Sequence, residues 1–258
     1  MLHAISALKG FAIEATDGRI GTAVDFLFDD RSWKVRWLVV DCGSWLAGRK
    51  VLIHPSAISY AGFEYKRFEV TLTKAQVHGS PALLEHQPVS QQMQSHLYDY
   101  YGWDPDWSGS YFGGTMGGMA PSMMAPPSPG AQMQAEPRTA GAPTPQGGDP
   151  HLRSVVEVIG YYIQATDGEI GYVENLMLDN EDWSLQYLIV YTSSWWLGQS
   201  VLIAPHAVTG IDWFNRQVQL DVPREKVKLS PSWDPLVALD ESSRTDLHAH
   251  YDWPRSGA

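Results

Sequence analysis

The sequence predicts an all-β protein that consists of two small antiparallel β-barrels, each followed by a short C-terminal helical tail. Two observations indicate this fold class. Residues 8–103 of the 258-residue chain recur without a gap as residues 158–253, at an offset of 150 positions. Within each copy, apolar residues alternate with polar ones at a period of two, which is typical of half-buried strands. The chain is therefore expected to hold two copies of one small domain.

The matches between the copies fall at turns and in apolar segments. They pair Ala15–Gly18 with Ala165–Gly168, Trp33 with Trp183, Trp45 with Trp195, Val51–Ile53 with Val201–Ile203, and Trp103 with Trp253. We place the first domain at residues 1–103 and the second at residues 153–258. Between them, residues 104–152 are rich in glycine, proline and methionine and cannot bury enough apolar surface to fold. This segment is predicted to be a disordered, flexible linker.

Two turns delimit the first strands of each copy. In the first copy, Asp17-Gly18 lies between apolar runs, as in a tight hairpin where glycine tolerates a positive φ. Asp29-Asp30 predicts a second turn, ahead of a strand at residues 35–40. The second copy repeats both turns as Asp167-Gly168 and Asp179-Asn180, which supports a common fold.

Three further strands complete each copy. Gly48 precedes a strand at residues 50–54, which Pro55 ends because proline has no N–H to donate to a sheet. A short strand is predicted at residues 57–63, and an alternating strand follows at residues 68–72. The second copy matches each of these at the same offset. About six short strands in roughly 70 residues indicate a small barrel or sandwich, and closure into a barrel would remove exposed edges.

Each copy ends in a polar tail with scattered aromatic residues, at residues 83–103 and 236–253. Leu97 and Tyr101 are four positions apart, so they would share one face of a helix. The second copy repeats this pair 150 positions later. We expect each tail to form a short helix that packs this face on its barrel.

The net charge of −11 is placed unevenly along the chain. Residues 1–103 carry ten basic and ten acidic side chains, whereas residues 154–258 carry six basic and fifteen acidic ones. An acidic second copy repels phosphate backbones, which argues against direct nucleic-acid binding. The charge suits a basic partner surface, although solubility alone explains it as well.

The sequence indicates a cytoplasmic protein. It has no run of about 18 apolar residues that would span a bilayer. Met1–Gly10 lacks the basic start and apolar stretch of a signal peptide. The single cysteine, Cys42, follows an apolar run and corresponds to Thr192, so we expect a half-buried thiol rather than a nucleophile.

The pattern of turns and strands resembles the PRC-barrel family, the small barrel shared by the photosynthetic reaction-centre H subunit and the RimM-type ribosome-maturation factor. The residues that carry the resemblance are Gly10, Ala15–Gly21, Asp25–Asp30, Trp37–Val40 and Val51–Pro55, with Gly160, Ala165–Gly171, Asn175–Asp179, Tyr187–Val190 and Val201–Pro205 in the second copy. The resemblance covers about 95 residues of each copy and implies a non-enzymatic interaction module. It carries no catalytic residues. The chain departs from the two named relatives because it has neither the membrane helix of the H subunit nor the separate N-terminal domain of the maturation factor.

Four recurring aspartates, Asp17, Asp167, Asp29 and Asp179, are the first candidates for chemistry. Repeated carboxylates suit acid–base catalysis or calcium binding. Each of them, however, stands where a turn favours aspartate, and that role is sufficient to explain it. We therefore expect no catalytic residue and no cofactor.

Two groups of side chains leave a metal-handling alternative open. His248, His250 and Asp252 are close in sequence, although the matching positions of the first copy cannot reproduce such a site. Thioethers can bind Cu(I), and five methionines lie in the linker: Met116, Met119, Met123, Met124 and Met133. A plain tether is the interpretation we favour for the linker, because no histidine or cysteine accompanies the methionines.

Tryptophans in the loop before Gly48 and Gly198 are the candidate partner-binding residues: Trp45, Trp195 and Trp196. They would either cap the barrel end or anchor a partner, since tryptophan is enriched in binding hot spots. We further expect the two barrels to dock on each other, with these tryptophans near the interface. The predicted function is a tandem PRC-barrel scaffold that binds a protein partner. The alternatives are a peripheral subunit or assembly factor of a reaction-centre-like membrane complex, and metal handling.

Overall fold

The structure, a computed structural model, describes residues 1–46, 48–80, 101, 151–192, 198–234 and 239–253. Of the predicted linker, residues 104–152, only residues 151 and 152 are described. The predicted disorder and the five linker methionines therefore fall outside the described residues. No helix in these ranges is long and apolar enough to cross a membrane.

The first repeat contains seven strands and two short helices. In chain order they are β1 (Leu2–Ala4), α1 (Ile5–Leu8), β2 (Ala12–Ala15), β3 (Gly18–Asp29), β4 (Val35–Asp41), β5 (Lys50–Ile53), β6 (Ile58–Gly62), β7 (Arg67–Val70) and α2 (Lys74–Gly79). Single 3₁₀ turns at Gly43–Leu46 and Pro55–Ala57 flank β5.

The second repeat has the same order of strands and a further helix at its end. Its elements are β8 (Leu152–Ser154), α3 (Val155–Val158), β9 (Tyr162–Ala165), β10 (Gly168–Asp179), β11 (Leu185–Thr192), β12 (Ser200–Ile203), β13 (Val208–Asp212), β14 (Gln217–Leu220), α4 (Arg224–Lys228) and α5 (Glu241–Tyr251). A 3₁₀ turn at Pro205–Ala207 joins β12 to β13. The predominantly β fold and the repeated element order are confirmed.

Each repeat forms one sheet with the order β5-β4-β3-β2-β7-β6, or β12-β11-β10-β9-β14-β13. Neighbouring strands run antiparallel except β2 with β7 and β9 with β14, which are parallel. The predicted tight hairpins join β2 to β3 and β9 to β10, where Gly18 has φ +123° and Gly168 has φ +142°. Strands β3 and β10 thus begin at the glycine of each predicted turn.

The predicted closed barrel is not observed as a hydrogen-bonded ring. Within the described residues, the strand path of the first sheet ends at β5 and β6, which are not paired with each other. The turn that joins these two edge strands does not extend the pairing. Pro55 has no N–H to donate, and the N–H of Ala57 is used within the turn, on the His54 carbonyl at 3.0 Å.

A strand exchange joins the two repeats. Strand β1 pairs with β10 of the second repeat, and β8 pairs with β3 of the first, so each sheet has seven strands. The helix after each exchanged strand packs on the same foreign strand, where Ile5 and Leu8 of α1 and Val155 and Val158 of α3 are fully buried. The first few residues of each repeat therefore complete the sheet of the other. Strand β8 begins at Leu152, the last residue of the predicted linker.

The tips of two hairpins make the second connection. Trp33 and Trp183 adopt positive φ values of 55° and 60°. The carbonyl of Trp183 accepts the N–H of Val35 at 2.8 Å, and the carbonyl of Trp33 accepts the N–H of Leu185 at 2.7 Å. The indole of Trp183 also lies 5.8 Å from the ring of Phe68 in the first repeat. Within the described residues, the repeats thus contact each other through exchanged strands and hairpin tips; the loop of Trp195 and Trp196 lies outside those residues.

The C-terminal tail of the second repeat is the helix α5, as predicted. Its side chains Leu247 and Tyr251 are each 3% exposed and join the core cluster. In the first repeat, Tyr101 packs on a cluster that includes Trp37 and Leu52. Leu97 lies outside the described residues.

Candidate functional site

A groove of about 640 Å³ lies where the two repeats meet. One wall is the hairpin tip of the first repeat, residues 30–33, and the other wall and floor come from the second repeat. The second-repeat residues in it belong to the start of β11, the 3₁₀ turn after β12, and α5. Its volume is within the range typical of small-molecule and cofactor sites.

Hydrogen bonds and ion pairs of the Asp29 and Asp30 carboxylates fix the hairpin that forms the first wall. Asp29 Oδ1 accepts the backbone N–H of Arg31 at 3.0 Å and of Ser32 at 2.9 Å. Asp30 binds two side chains of the exchanged segment, His151 Nδ1 at 2.9 Å and Arg153 Nε at 2.8 Å. The groove wall is therefore fixed by contacts that cross from one repeat to the other.

The floor of the groove is a group of aromatic and imidazole side chains. The hydroxyl of Tyr187 lies 2.9 Å from Nε2 of the buried His248. His206, in the 3₁₀ turn after β12, has its ring centroid 6.5 Å from that of His248 and 4.7 Å from that of Trp253. These rings come from β11, the turn and the end of α5, so the packing of the tail helix on the sheet assembles them.

Burial and the neighbouring His248 lower the pKa of His206 from its ordinary value, while Asp221 acts in the opposite direction. At neutral pH, His206 is therefore predominantly neutral and can both donate and accept a hydrogen bond. Together with Tyr187 and Gln186 it gives the groove polar groups among aromatic walls. This arrangement is suited to binding by hydrogen bonds and ring stacking.

Of the predicted metal-site residues, only His248 lines the groove. Nε2 of His250 instead lies 2.7 Å from the Lys226 carbonyl, and Asp252 accepts from Lys226 Nζ at 2.7 Å. Across the described ranges, no three His, Cys, Asp or Glu side chains come together as metal ligands. His248, His250 and Asp252 thus each have a different partner and do not form one site.

The predicted partner-binding tryptophans are only partly described. Trp45 is partly buried against the core of its own repeat, and its indole N–H donates to the Ile20 carbonyl. The Nζ of Lys74 lies 5.5 Å from the centre of its ring. Trp45 therefore lies in the turn between β4 and β5 and does not line the groove. Trp195 and Trp196 lie outside the described residues.

The recurring aspartates have the turn roles that their positions indicate. Asp17 accepts the N–H of Lys74 at 2.8 Å, and Asp167 accepts that of Arg224 at 2.7 Å, so each ties a hairpin to the start of a helix. Cys42 is buried, and burial raises the pKa of its thiol to about 11. A thiol with that pKa is a poor nucleophile at neutral pH.

Sequence reasoning missed His206, Tyr187 and Trp253 as neighbours. One signal was present, because His206 and Tyr187 differ from their first-repeat counterparts, Ser56 and Trp37, within otherwise matched segments. Such divergence marks positions that the common fold does not require.

No protein-family model matches the chain, and a search of curated proteins found no similar sequence.

Proposed function

We propose that this chain is a tandem PRC-barrel-like protein that acts without catalysis as a cytoplasmic interaction or scaffold module. A protein partner would bind in the groove between the repeats. The observation that carries the proposal is the strand exchange, which joins the two repeats and builds one groove from residues of both. The groove supplies stacking and hydrogen-bonding groups, which are the means of protein recognition.

The course of each sheet supports the barrel-like part of the proposal. The edge strands β5 and β6 are consecutive, with Ile53 and Ile58 at the two ends of their connection. A flat sheet of six strands would place its edges about 24 Å apart. Five residues span at most about 17 Å. The sheet must therefore curl, as a barrel wall does.

The test compares proteins captured from the native cell by the full chain and by a groove variant, Arg31→Glu/His206→Ser. Each substitution introduces the residue that the other repeat carries, Glu181 or Ser56, so the fold should tolerate it. A control variant, Tyr65→Ser, changes a side chain that is 63% exposed outside the groove. We expect a partner that the wild type and the control retain and the groove variant loses. Equal capture by all three proteins would refute the groove as the binding surface.

The two alternative roles predict different outcomes. A peripheral subunit or assembly factor of a membrane complex would be recovered with membranes and with membrane proteins. A metal-handling protein would retain a stoichiometric metal after purification.

A further inference from the structure

A row of tyrosines crosses the sheet of the second repeat. The strand register aligns Gln217 with Tyr162, Tyr162 with Tyr172, Tyr172 with Tyr191, and Tyr191 with Ser200. Directly paired residues on neighbouring strands point to the same face of a sheet. Tyr162, Tyr172 and Tyr191, hereafter the tyrosine row, therefore lie side by side.

The tyrosine row faces outward. Tyr162 is 53% exposed and Tyr172 is 39% exposed, whereas Ile163 and Val173, which follow them, are fully buried. The ring centroids of Tyr172 and Tyr191 are 5.5 Å apart at an interplanar angle of 39°. In the part of the chain that the structure describes, these adjacent rings form an aromatic surface that the core does not need.

The charge around the tyrosine row is negative. Glu169 pairs with Gln164, two positions after Tyr162 on the same face. At the other end of the row, the carboxylate of Glu174 accepts the hydroxyl of Ser200 at 2.6 Å. The sequences of the described strands β9 to β14 contain no lysine or arginine.

Two arginines lie near the ends of these strands. The exposed Arg216 has its guanidinium 5.8 Å from the ring centre of the buried Tyr161. Arg224 lies beside Gly168 at the tip of the β9–β10 hairpin. The side chains of Glu169, Glu174, Tyr162 and Tyr172 are themselves exposed.

We propose that the tyrosine row and its flanking carboxylates, Glu169 and Glu174, bind an arginine- or lysine-bearing segment of a protein partner. A cation over an aromatic face gains cation–π attraction, and a nearby carboxylate adds a charge-assisted hydrogen bond. This site would specify the kind of partner that the chain binds, and it rests on the proposed function as an interaction module. Nucleic acid does not fit, because the same carboxylates would repel phosphates.

The equivalent row of the first repeat shows that the fold does not demand tyrosines. There the register aligns Arg67, Ala12, Thr22, Asp41 and Lys50. That row has no aromatic ring, and its two cations, Arg67 and Lys50, lie beside carboxylates, Glu69 and Asp41, so it offers no stacking surface for a basic segment. The proposed site therefore belongs to the second repeat alone.

The test measures fluorescence anisotropy of a labelled Gly-Arg-Gly-Arg-Gly-Arg-Gly peptide with the full chain at low ionic strength. A peptide with glutamine in place of arginine is the control ligand. We expect the variant Tyr162→Thr/Tyr172→Thr/Tyr191→Thr to bind the arginine peptide about tenfold more weakly. Threonine keeps a good strand-forming residue at each position. The variant Glu169→Gln/Glu174→Gln should bind about threefold more weakly, and it keeps the fold because both side chains are exposed.

A matched control removes exposed tyrosines elsewhere. Tyr60 and Tyr65 of the first repeat are 49% and 63% exposed, and Tyr60→Thr/Tyr65→Thr should bind the arginine peptide as the wild type does. Equal binding of the arginine and glutamine peptides, or unchanged binding by both row variants, overturns the proposal. A concentration-dependent dimer that the row variants dissociate would also overturn it, because the occupant would then be a second copy.

Failure of the proposed function is distinguishable from failure of this site. The groove variant Arg31→Glu/His206→Ser should lose captured partners without changing peptide affinity. If it captures the same proteins as the wild type while the row variants still lose the peptide, only the groove proposal fails.

Discussion

The two repeats have one backbone plan and carry different surfaces on it. Both sheets have the same strand order, and both receive a three-residue strand from the other repeat. The strands of the first repeat include Arg19, Arg36, Lys50 and Arg67, whereas strands β9 to β14 of the second repeat contain no lysine or arginine. The comparison shows that core and turn positions are constrained by the fold, while outward positions are free to take on separate roles.

The 3₁₀ turns after β5 and β12 also have the same backbone and different side-chain contacts. In the first repeat, Nδ1 of His54 contacts the hydroxyl of Ser56 at 2.8 Å and accepts its N–H, which caps the 3₁₀ turn. In the second repeat, the polar contact links Tyr187 on the sheet to His248 on the tail helix. Among the residues that the structure describes, the first repeat thus has a local cap at this turn, and the second repeat has a contact between elements that lines the groove.

The largest expected effect tests the shared backbone. A Cβ at Gly21 would overlap the backbone carbonyl oxygen of Asp41 on the neighbouring strand. Because backbone atoms cannot move aside as a flexible side chain can, Gly21→Ala should lower the free energy of unfolding by at least about 3 kcal/mol. Chemical denaturation of Gly21→Ala and of Gly210→Ala is the measurement. At Gly210 the nearest atom to an added Cβ is 3.6 Å away, so that variant should change stability by less than about 1 kcal/mol. Equal effects at both sites would contradict this account.

The next prediction tests which sheet each exchanged segment stabilises. Ile5 is 2% exposed, and its helix packs on β10. Ile5→Ala should cost about 3 kcal/mol and should reduce amide protection most in β10 and β11 of the second repeat. Its counterpart Val155→Ala should instead act on β3 and β4 of the first.

Hydrogen–deuterium exchange on both variants separates the two patterns. The control is Val156→Ala, which removes a side chain that is 42% exposed and should change stability by less than about 0.5 kcal/mol. Loss of protection in β3 rather than β10 after Ile5→Ala would show that the strands are not exchanged in solution.

Much of the fold is predictable because local rules set it. The positive φ of Gly18, the strand at 217–220 and the tail helix follow from turn chemistry, alternation and helix spacing. The exchange is not predictable in this way. Periodicity indicates that Ile5 is buried, but it does not indicate which of two equivalent sheets covers it.

The candidate site was less accessible to sequence reasoning than the fold. His206 and His248 are 42 positions apart, and only the packing of α5 on the sheet brings their rings together. The tyrosine row combines residues from three strands, so it depends on the register between them. In both cases the informative signal is the difference between matched positions of the repeats.

A pH titration of stability tests the second-repeat imidazole group. The lowered pKa of His206 means that its proton binds more tightly in the unfolded chain. Its contribution to stability is therefore complete above the ordinary histidine value near 6.5 and is lost as the pH falls below it. His206→Ser should reduce this loss, measured as the change in melting temperature between pH 7.5 and pH 5.5. Burial also lowers the pKa of His3, so part of the acid sensitivity should remain. An unchanged pH profile in His206→Ser would contradict the burial of this ring.

The smallest expected effect concerns the contact between each sheet and its exchanged segment. At this contact the first repeat has Asp25 and the second has the uncharged Asn175. Asp25 Oδ1 accepts the N–H of Val156 at 3.1 Å, and Oδ2 accepts the Ser154 hydroxyl at 2.6 Å. At the equivalent place, Asn175 accepts the N–H of Ser6 at 3.3 Å and donates to its hydroxyl at 2.6 Å. The N–H contact is thus equivalent in the two junctions, whereas the hydroxyl comes from Ser154 in one and from Ser6 in the other.

Burial raises the pKa of Asp25, outweighing the hydrogen bonds and the charge of Lys9, which act to lower it. The folded chain thus holds this proton more tightly than the unfolded chain does. The stabilising contribution is complete below the ordinary value of 3.8 and is lost as the pH rises through the raised pKa. Asp25→Asn removes that loss, so at pH 7 the variant should be equally stable or more stable, by up to about 1 kcal/mol. The difference from the wild type should shrink as the pH is lowered towards 4. The reverse substitution, Asn175→Asp, should introduce the same pH dependence at the other junction. Denaturation curves at pH 7 and pH 4 decide the matter, and a clear loss of stability in Asp25→Asn at pH 7 would show that the ionised carboxylate stabilises the exchanged strand.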